Sequence, residues 1–331
     1  MRDFRFYNAR DNRYFVATPK WIREFIALPD AAADAAKFWK SWTRTVAERV
    51  CANYPNANGL LVGPFPSDGF GLIIVNTNGE LAERSGNGLT IFSQFLVDER
   101  QVGPGPFSVT VYHDRAAPLE VQVEPETLGV EKGFWVDMGV PTFGPQAVNA
   151  SSSYGEEYEH NGRRLSRVSA LAEVDPTWTR SLLVCVDNPH CVTFLDDVTS
   201  LASLDHRKVE LKSRLTAIAF SSLRGEVRGD GLPCADGINL QWAFVGPDKI
   251  HARVFERGEG WTDSSGSSAT AIACAARHLG FTKEATVRVK MLANSPLVIQ
   301  FDDRTRRVKY FGLAIPEDKV KGGSTTASMN T

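Results

Sequence analysis

Two short glycine-rich turns carry the residue types best suited to chemistry. Ser85-Gly86-Asn87-Gly88 runs into the apolar Leu89-Thr90-Ile91-Phe92, and Ser264-Ser265-Gly266-Ser267-Ser268 runs into the apolar stretch from Ala269 to Leu279. The two turns stand 180 positions apart. Each reads as a turn opening a helix, with a small hydroxyl residue at the cap. The first turn of a helix leaves backbone N–H groups without partners, here those of Gly86, Asn87, Gly266 and Ser267. Such groups hold an anion without help from a lysine. One such turn in each half suggests a duplicated fold with a single site shared between the halves.

Other polar residues cluster where strands should end: Asn76, Asn188 with His190, Asn239, and Glu256 with Arg257. Taken singly, an asparagine before glycine or proline is usually a turn former. Several familiar chemistries are missing. Neither turn makes a GxGxxG, no Walker A pattern occurs, and no His, Cys, Asp and Glu set has metal-ligand spacing. The five cysteines are odd in number, widely spaced and free of CxxC pairs, which argues against a disulfide scaffold or a structural zinc site.

The elements that must position these residues are many short strands and few helices. The periodicity predicts a hairpin from 3–8 and 14–17, a helix from about Ala31 to Val50, and an apolar strand at Gly71 to Val75. It then predicts a helix over Asn87 to Val97, with strands at 107–113 and 119–124. The segment Ala147 to Arg167 reads as a polar loop, Leu182 to Val186 as a buried strand and Leu204 to Leu215 as one helix. A strand from Leu240 to Val245, a helix from Ser267 to His278 and strands at 285–290, 297–301 and 307–311 complete the pattern. Central helices among many strands point to α+β rather than a βαβ dinucleotide fold. The tail 319–331 reads as disordered.

With 331 residues, 43% of them hydrophobic, a formal net charge of −2 and 23% charged residues, the chain has the composition of an ordinary soluble protein, large enough for two domains. No basic field favours nucleic acid, no apolar run is long enough for a membrane helix, and the N-terminus does not read as a secretory leader. A cytoplasmic protein is the expectation.

Together the motifs resemble the diaminopimelate epimerase family of cofactor-independent amino-acid racemases and epimerases. The resemblance rests on Asn76-Thr77-Asn78-Gly79 with Ser85-Gly86-Asn87-Gly88, Asp187-Asn188-Pro189-His190, Asp236-Gly237-Ile238-Asn239, and Arg253 to Gly260. Asp11-Asn12-Arg13-Tyr14 is an altered version of an N-terminal motif. The resemblance covers the chain essentially end to end. It implies two pseudo-symmetric halves, each a curved, mostly antiparallel sheet around a central helix, with the site between them. The halves are expected at 1–130, completed by a strand near 306–318, and at 131–305.

It further implies a small amino-acid-like substrate, no cofactor, no metal and a possible homodimer. The reacting carboxylate is expected between the helix starts, where N–H groups also stabilise the enediolate formed when the α-proton leaves. Asn76, Asn188, Asn239 and Arg257 are expected to bind the substrate's far end, and Glu256 its ammonium group. Asn12 and His190 line the site. The catalytic set is Ser85, Ser265, His190 and Glu256.

This chain departs from the family at the centre of the chemistry. Ser85 and Ser265 stand where the family has two catalytic cysteines. A thiol near pKa 8.5 is tuned at a helix start into an acid–base group, whereas a serine hydroxyl needs an activating neighbour. His190 and Asp263 are the candidates for that role. Trp261, Ser268, Asn58, Asn78 and Arg13 also differ from the family pattern. Trp261 either narrows the pocket or caps the core. Three readings follow: an isomerase or epimerase, or a lyase or tautomerase, acting on a relatively acidic proton; a homologue that binds without catalysis; or serines introduced to trap a complex, ranked last because so many neighbours also differ. A specialised pathway fits these departures better than a housekeeping one.

Overall fold

The computed structural model describes residues 4–54, 56–65, 69–114, 117–150, 154–160, 162–186, 188–219, 234, 237–293 and 296–317. Asp187, Asp236 and the tail 319–331 lie outside the described residues.

A tight hairpin opens the chain, with β1 (Phe4–Ala9) against β2 (Asn12–Ala17). The predicted helix from Ala31 to Val50 is broken. After α1 (Pro19–Arg23) come α2 (Ala32–Lys37), a 3₁₀ turn at Trp39–Ser41 and α3 (Thr43–Asn53). The break has a physical cause. Trp42 leaves helical geometry at φ −136° to bury its ring completely, and its indole N–H donates to the Ala35 carbonyl at 2.9 Å. Trp39 stays partly exposed and bonds Asp114.

Strands β3 (Gly59–Phe65), β4 (Gly71–Asn76) and β5 (Leu81–Ala82) lead to helix α4 (Gly86–Asp98), followed by β6 (Phe107–Val111), β7 (Leu119–Leu128) and β8 (Glu131–Asp137). Beyond the short β9 (Thr142–Phe143), the stretch expected to be a polar loop contains a hairpin, β10 (Gly155–His160) with β11 (Arg163–Val168). Its glutamates and arginines face each other across the pair, as in Glu156 with Arg167, so charge that reads as loop composition is cross-strand pairing.

Helix α5 (Ser169–Val174) precedes β12 (Ser181–Val186) and β13 (Asn188–Phe194). The single helix predicted at 204–215 is two, α6 (Thr199–His206) and α7 (Lys208–Ala219), separated at Arg207 (φ −97°, ψ 1°). The rest is β14 (Asn239–Val245), β15 (Ile250–Glu256), β16 (Gly260–Thr262), α8 (Gly266–His278), β17 (Thr286–Lys290), β18 (Leu297–Phe301), β19 (Val308–Gly312) and β20 (Ile315–Pro316).

The pairing repeats. β1–β2 antiparallel, β2–β3 parallel and β3–β4 antiparallel are matched by β12–β13, β13–β14 and β14–β15 in the same senses. β4 pairs β5 antiparallel and β6 parallel, as β15 pairs β16 and β17. Each repeat ends on an antiparallel run, β6–β7–β8 and β17–β18–β19, and the final strands β8 and β19 pair with one another. This is an α+β architecture with a helix of 13 residues inside each repeat, α4 in one and α8 in the other.

Both helices are apolar nearly all round, as befits helices wrapped by sheet. Leu89, Ile91, Phe92, Phe95 and Leu96 of α4 and Ala269 to Ala276 of α8 belong to one buried cluster that spans the two repeats. Satellite clusters lie under the helical crossovers, one around Trp42 and one around Trp178 and Trp242.

Candidate active site

The two helix starts meet. Gly86 and Gly266 are the first residues of α4 and α8, and a Cβ on Gly86 would lie 3.5 Å from the Gly266 Cα. Both pack on the Tyr310 ring, whose edge would be 2.9 Å from a Cβ on Gly266. A side chain at Gly266 would press into the Tyr310 ring, whereas one at Gly86 would meet that ring at 3.3 Å. Tyr310 hydroxyl donates to Asn87 Oδ1 at 3.1 Å. The N–H groups of Gly86, Asn87, Gly266 and Ser267 therefore belong to adjoining helix ends, a cradle for one negative group.

Ser85 and Ser265 are the N-caps of these helices, both extended at φ −143° and −150°. Ser85 Oγ accepts the Gly88 N–H at 3.0 Å, and Ser265 Oγ accepts the Ser268 N–H at 3.3 Å. Beyond that shared geometry their surroundings diverge. Ser265 hydroxyl donates to Glu256 Oε1 at 2.6 Å, and its oxygen lies 3.3 Å from Ser267 Oγ. Ser85 lies 3.3 Å from the Tyr14 hydroxyl. One serine thus has a carboxylate for a neighbour and the other a phenol.

The electrostatics follow. Burial pushes the Glu256 carboxyl up to about 7, with the Glu259 charge adding to the rise and the hydroxyls of Ser265 and Ser268 opposing it. Burial pushes Tyr14 up to about 12, assisted by the charges of Glu259 and Glu256 and opposed by the Ser85 contact. That Tyr14 feels both carboxyls places the two half-sites within electrostatic reach of each other. His190 is fully buried and held down to about 3, by burial first and then by Arg257, so it is neutral. Its Nε2 and the Oδ1 of Asn12 are buried without a hydrogen-bond partner among the described residues.

The strand ends line up beside these groups. In the first repeat Tyr14, Gly59 and Asn76 stand in one row across β2, β3 and β4. In the second, His190 stands opposite Asn239, whose Oδ1 accepts the Arg257 backbone N–H at 2.9 Å. The Arg257 side chain crosses Gly237, where φ is +70° and a Cβ would lie 2.6 Å from its Cδ. Asn188 begins β13 as Asn12 begins β2, and Asn12, Asn76, Asn188 and Arg257 are all half-buried.

The structure gives the serines other neighbours than expected. His190 and Asp263 do not activate the serines: Gln241 occupies His190 Nδ1, Asp263 is exposed, and Glu256 and Tyr14 hold the positions beside Ser265 and Ser85. Glu256, expected to take an ammonium group, also accepts the Ser265 hydroxyl through Oε1. Of the two alternatives left open for Trp261, the packing on Trp242 and Phe255, with the indole N–H on the Lys208 carbonyl, is the core cap.

Sequence reasoning missed Tyr14, Gln241 and Tyr310 as site residues. Tyr14 was recoverable, because it is the third residue of β2 as His190 is the third of β13. Tyr310 was not, because its place depends on β19 pairing with β8. Among the described residues no group of His, Cys, Asp and Glu forms a metal site. Cys191, Cys234 and Cys274 are buried in the core, and burial pushes Cys191 up to about 12.

Paired repeats with abutting helix starts are a fold known from solved structures. A hydroxyproline epimerase from Agrobacterium vitis has this fold, with a TM-score of 0.58 at 12% identity over 95% of this chain and 90% of that one. So does a Bacillus anthracis phenazine biosynthesis protein of the PhzF family, with a TM-score of 0.57 at 11% identity over 95% and 96%. The profile of the family described as diaminopimelate epimerase matches residues 182–312. The diaminopimelate epimerase of Archaeoglobus fulgidus is 32% identical over 211 residues, which take in 62% of this chain and 60% of that enzyme's length. Diaminopimelate epimerase 2 of a Nostoc species is 29% identical over 75% of each chain. The chain is similar to diaminopimelate epimerases over these stretches.

Proposed function

We propose that the protein is a cofactor-independent isomerase that moves the proton at the α-carbon of an amino-acid-like substrate with a polar or acidic far end. One observation carries this reading: two serines cap abutting helices, one bonded to a carboxyl poised near neutrality and the other beside a phenol. The substrate carboxylate binds the N–H groups of Gly86, Asn87, Gly266 and Ser267. Ser265 takes the α-proton while its own hydroxyl proton passes to the Glu256 carboxylate. The electron pair of the broken C–H bond moves into the carboxylate, whose enediolate charge the helix starts stabilise. Ser85 returns a proton to carbon and takes the Tyr14 phenol proton in its place; Tyr14, at about 12 a phenol before turnover, recovers a proton from solvent as Glu256 releases its own. A base near 7 suits this work at neutral pH.

Asn76, Asn188, Asn239 and Arg257 bind the far end, with the guanidinium suited to a carboxylate. Asn12 and His190 offer the remaining polar contacts. The same reading divides the chain at 130/131, returns the strands near 306–318 to the first unit, and includes a homodimer and a role in a specialised pathway.

A second reading has its own support. Only one serine has a carboxyl beside it, which suits a one-base proton shift or elimination on a more acidic carbon, as in a tautomerase or lyase. Candidate amino acids incubated in D2O separate the two. Epimerisation puts deuterium at the α-carbon of both stereoisomers, whereas elimination gives an unsaturated product absorbing in the ultraviolet. Glu256→Gln should slow either reaction by about a hundredfold. Absence of exchange and of product with every candidate that binds would sink both readings.

A further inference from the structure

Behind Glu256 the hydrogen bonding continues through two fully buried residues that the proton-transfer scheme leaves unused, Gln241 on β14 and Ser268 in the first turn of α8. Gln241 Nε2 lies 2.9 Å from His190 Nδ1 and 3.2 Å from Ser268 Oγ. Ser268 Oγ in turn lies 3.5 Å from Glu256 Oε1, the same oxygen that accepts the Ser265 hydroxyl at 2.6 Å. Four side chains thus join β13, β14, α8 and β15 in one line from His190 to the catalytic carboxyl.

With its nitrogen turned toward His190 and Ser268, the Gln241 amide sets the direction of this line. An amide N–H only donates, so His190 Nδ1 must accept and the imidazole proton sits on Nε2. Ser268, having accepted from the amide, is left to give its own proton to Glu256. His190 Nε2 is the buried nitrogen that finds no partner among the described residues, so its proton is available to a ligand. We propose that Gln241 is a positioning residue with two outputs: it holds His190 as a donor toward the ligand, and through Ser268 it steers a second hydroxyl proton onto Glu256. The charged and titratable groups facing this line are Glu259 and Tyr14 near Glu256 and Arg257 near His190, and none of them substitutes for the amide. The role of Glu256 as base comes from the proposed function, but the tautomer and the hydrogen-bond direction do not depend on it.

The test therefore needs no substrate. In protein labelled with ¹⁵N-histidine, His190 should show a single neutral tautomer with the proton on Nε2 between pH 5 and pH 9. Gln241→Met should lose that single tautomer. It should also raise the midpoint of Glu256, read from ¹³C-carboxyl labelled glutamate and assigned by Glu256→Gln. Ser268→Ala should leave the His190 tautomer intact while moving the Glu256 midpoint upward by up to about one unit. If Gln241→Met does not fold, Ser268→Ala still decides the second output. A wild-type proton on Nδ1, a Gln241→Met spectrum unchanged at both sites, or an unmoved Glu256 midpoint in Ser268→Ala overturns the proposal. Failure to find a substrate would count against the proposed function and leave this one standing.

Discussion

At Glu256 burial and hydrogen bonding pull in opposite directions, and burial wins, lifting the carboxyl from its ordinary 4.5 to about 7. The folded state therefore binds this proton more tightly than the unfolded chain does. The linked stability is fully present below about pH 4.5 and is lost as pH rises through about 7. Glu256→Gln removes the penalty of ionising a half-buried carboxyl. It should stabilise the protein at pH 8 by about 2 kcal/mol, a few degrees in Tm, with the gain fading by pH 5. Melting curves at the two pH values check this, and an equal effect at both would contradict the assignment. Tyr14 makes the complementary prediction. Tyr14→Phe deletes the phenol 3.3 Å from Ser85 and should slow α-proton exchange at least tenfold without shifting the Glu256 midpoint downfield of its error. Exchange at the wild-type rate would remove Tyr14 from the mechanism.

At the scale of elements, the two helix starts were plain in the sequence, because a serine cap and glycines before an apolar run have a local signature. The helices begin at Gly86 and Gly266, one residue before Asn87 and Ser267 where the sequence put them. Their strand neighbours were also legible from apolar runs. What the sequence hid depends on distant chain. The bend at Trp42 comes from burying an indole, the hairpin at 155–168 from charges that pair across strands, and Tyr310 from a strand added at the end. The partners of the serines were named in part, since Glu256 was in the catalytic set but assigned to an ammonium group. The helix junction is tight enough to test. Gly266→Ala places a Cβ 2.9 Å from the Tyr310 ring, while Gly86→Ala meets it at 3.3 Å. Gly266→Ala should weaken carboxylate binding by about tenfold, 1.4 kcal/mol, and Gly86→Ala by less. Titration calorimetry with a bound amino acid reads the difference, and equal affinities would mean that the junction is not the carboxylate site.

The whole molecule is held together by its end. β19 joins β18 to β8, and its Tyr310 and Phe311 are fully buried, so this strand ties the two repeats together. A chain ending at residue 305 should lose cooperative unfolding altogether, because β18 and β8 then both lose the strand between them; a sharp melting transition would refute this. That closure also keeps the two helix starts in contact around one ligand position. A crystal structure with a bound amino-acid substrate or unreactive analogue tests the arrangement most directly. The predicted result is a carboxylate on the N–H groups of Gly86, Asn87, Gly266 and Ser267, with one carbon about 3.5 Å from both Ser85 Oγ and Ser265 Oγ. A ligand whose reacting carbon reaches only one serine, or whose carboxylate binds away from both helix starts, would contradict it.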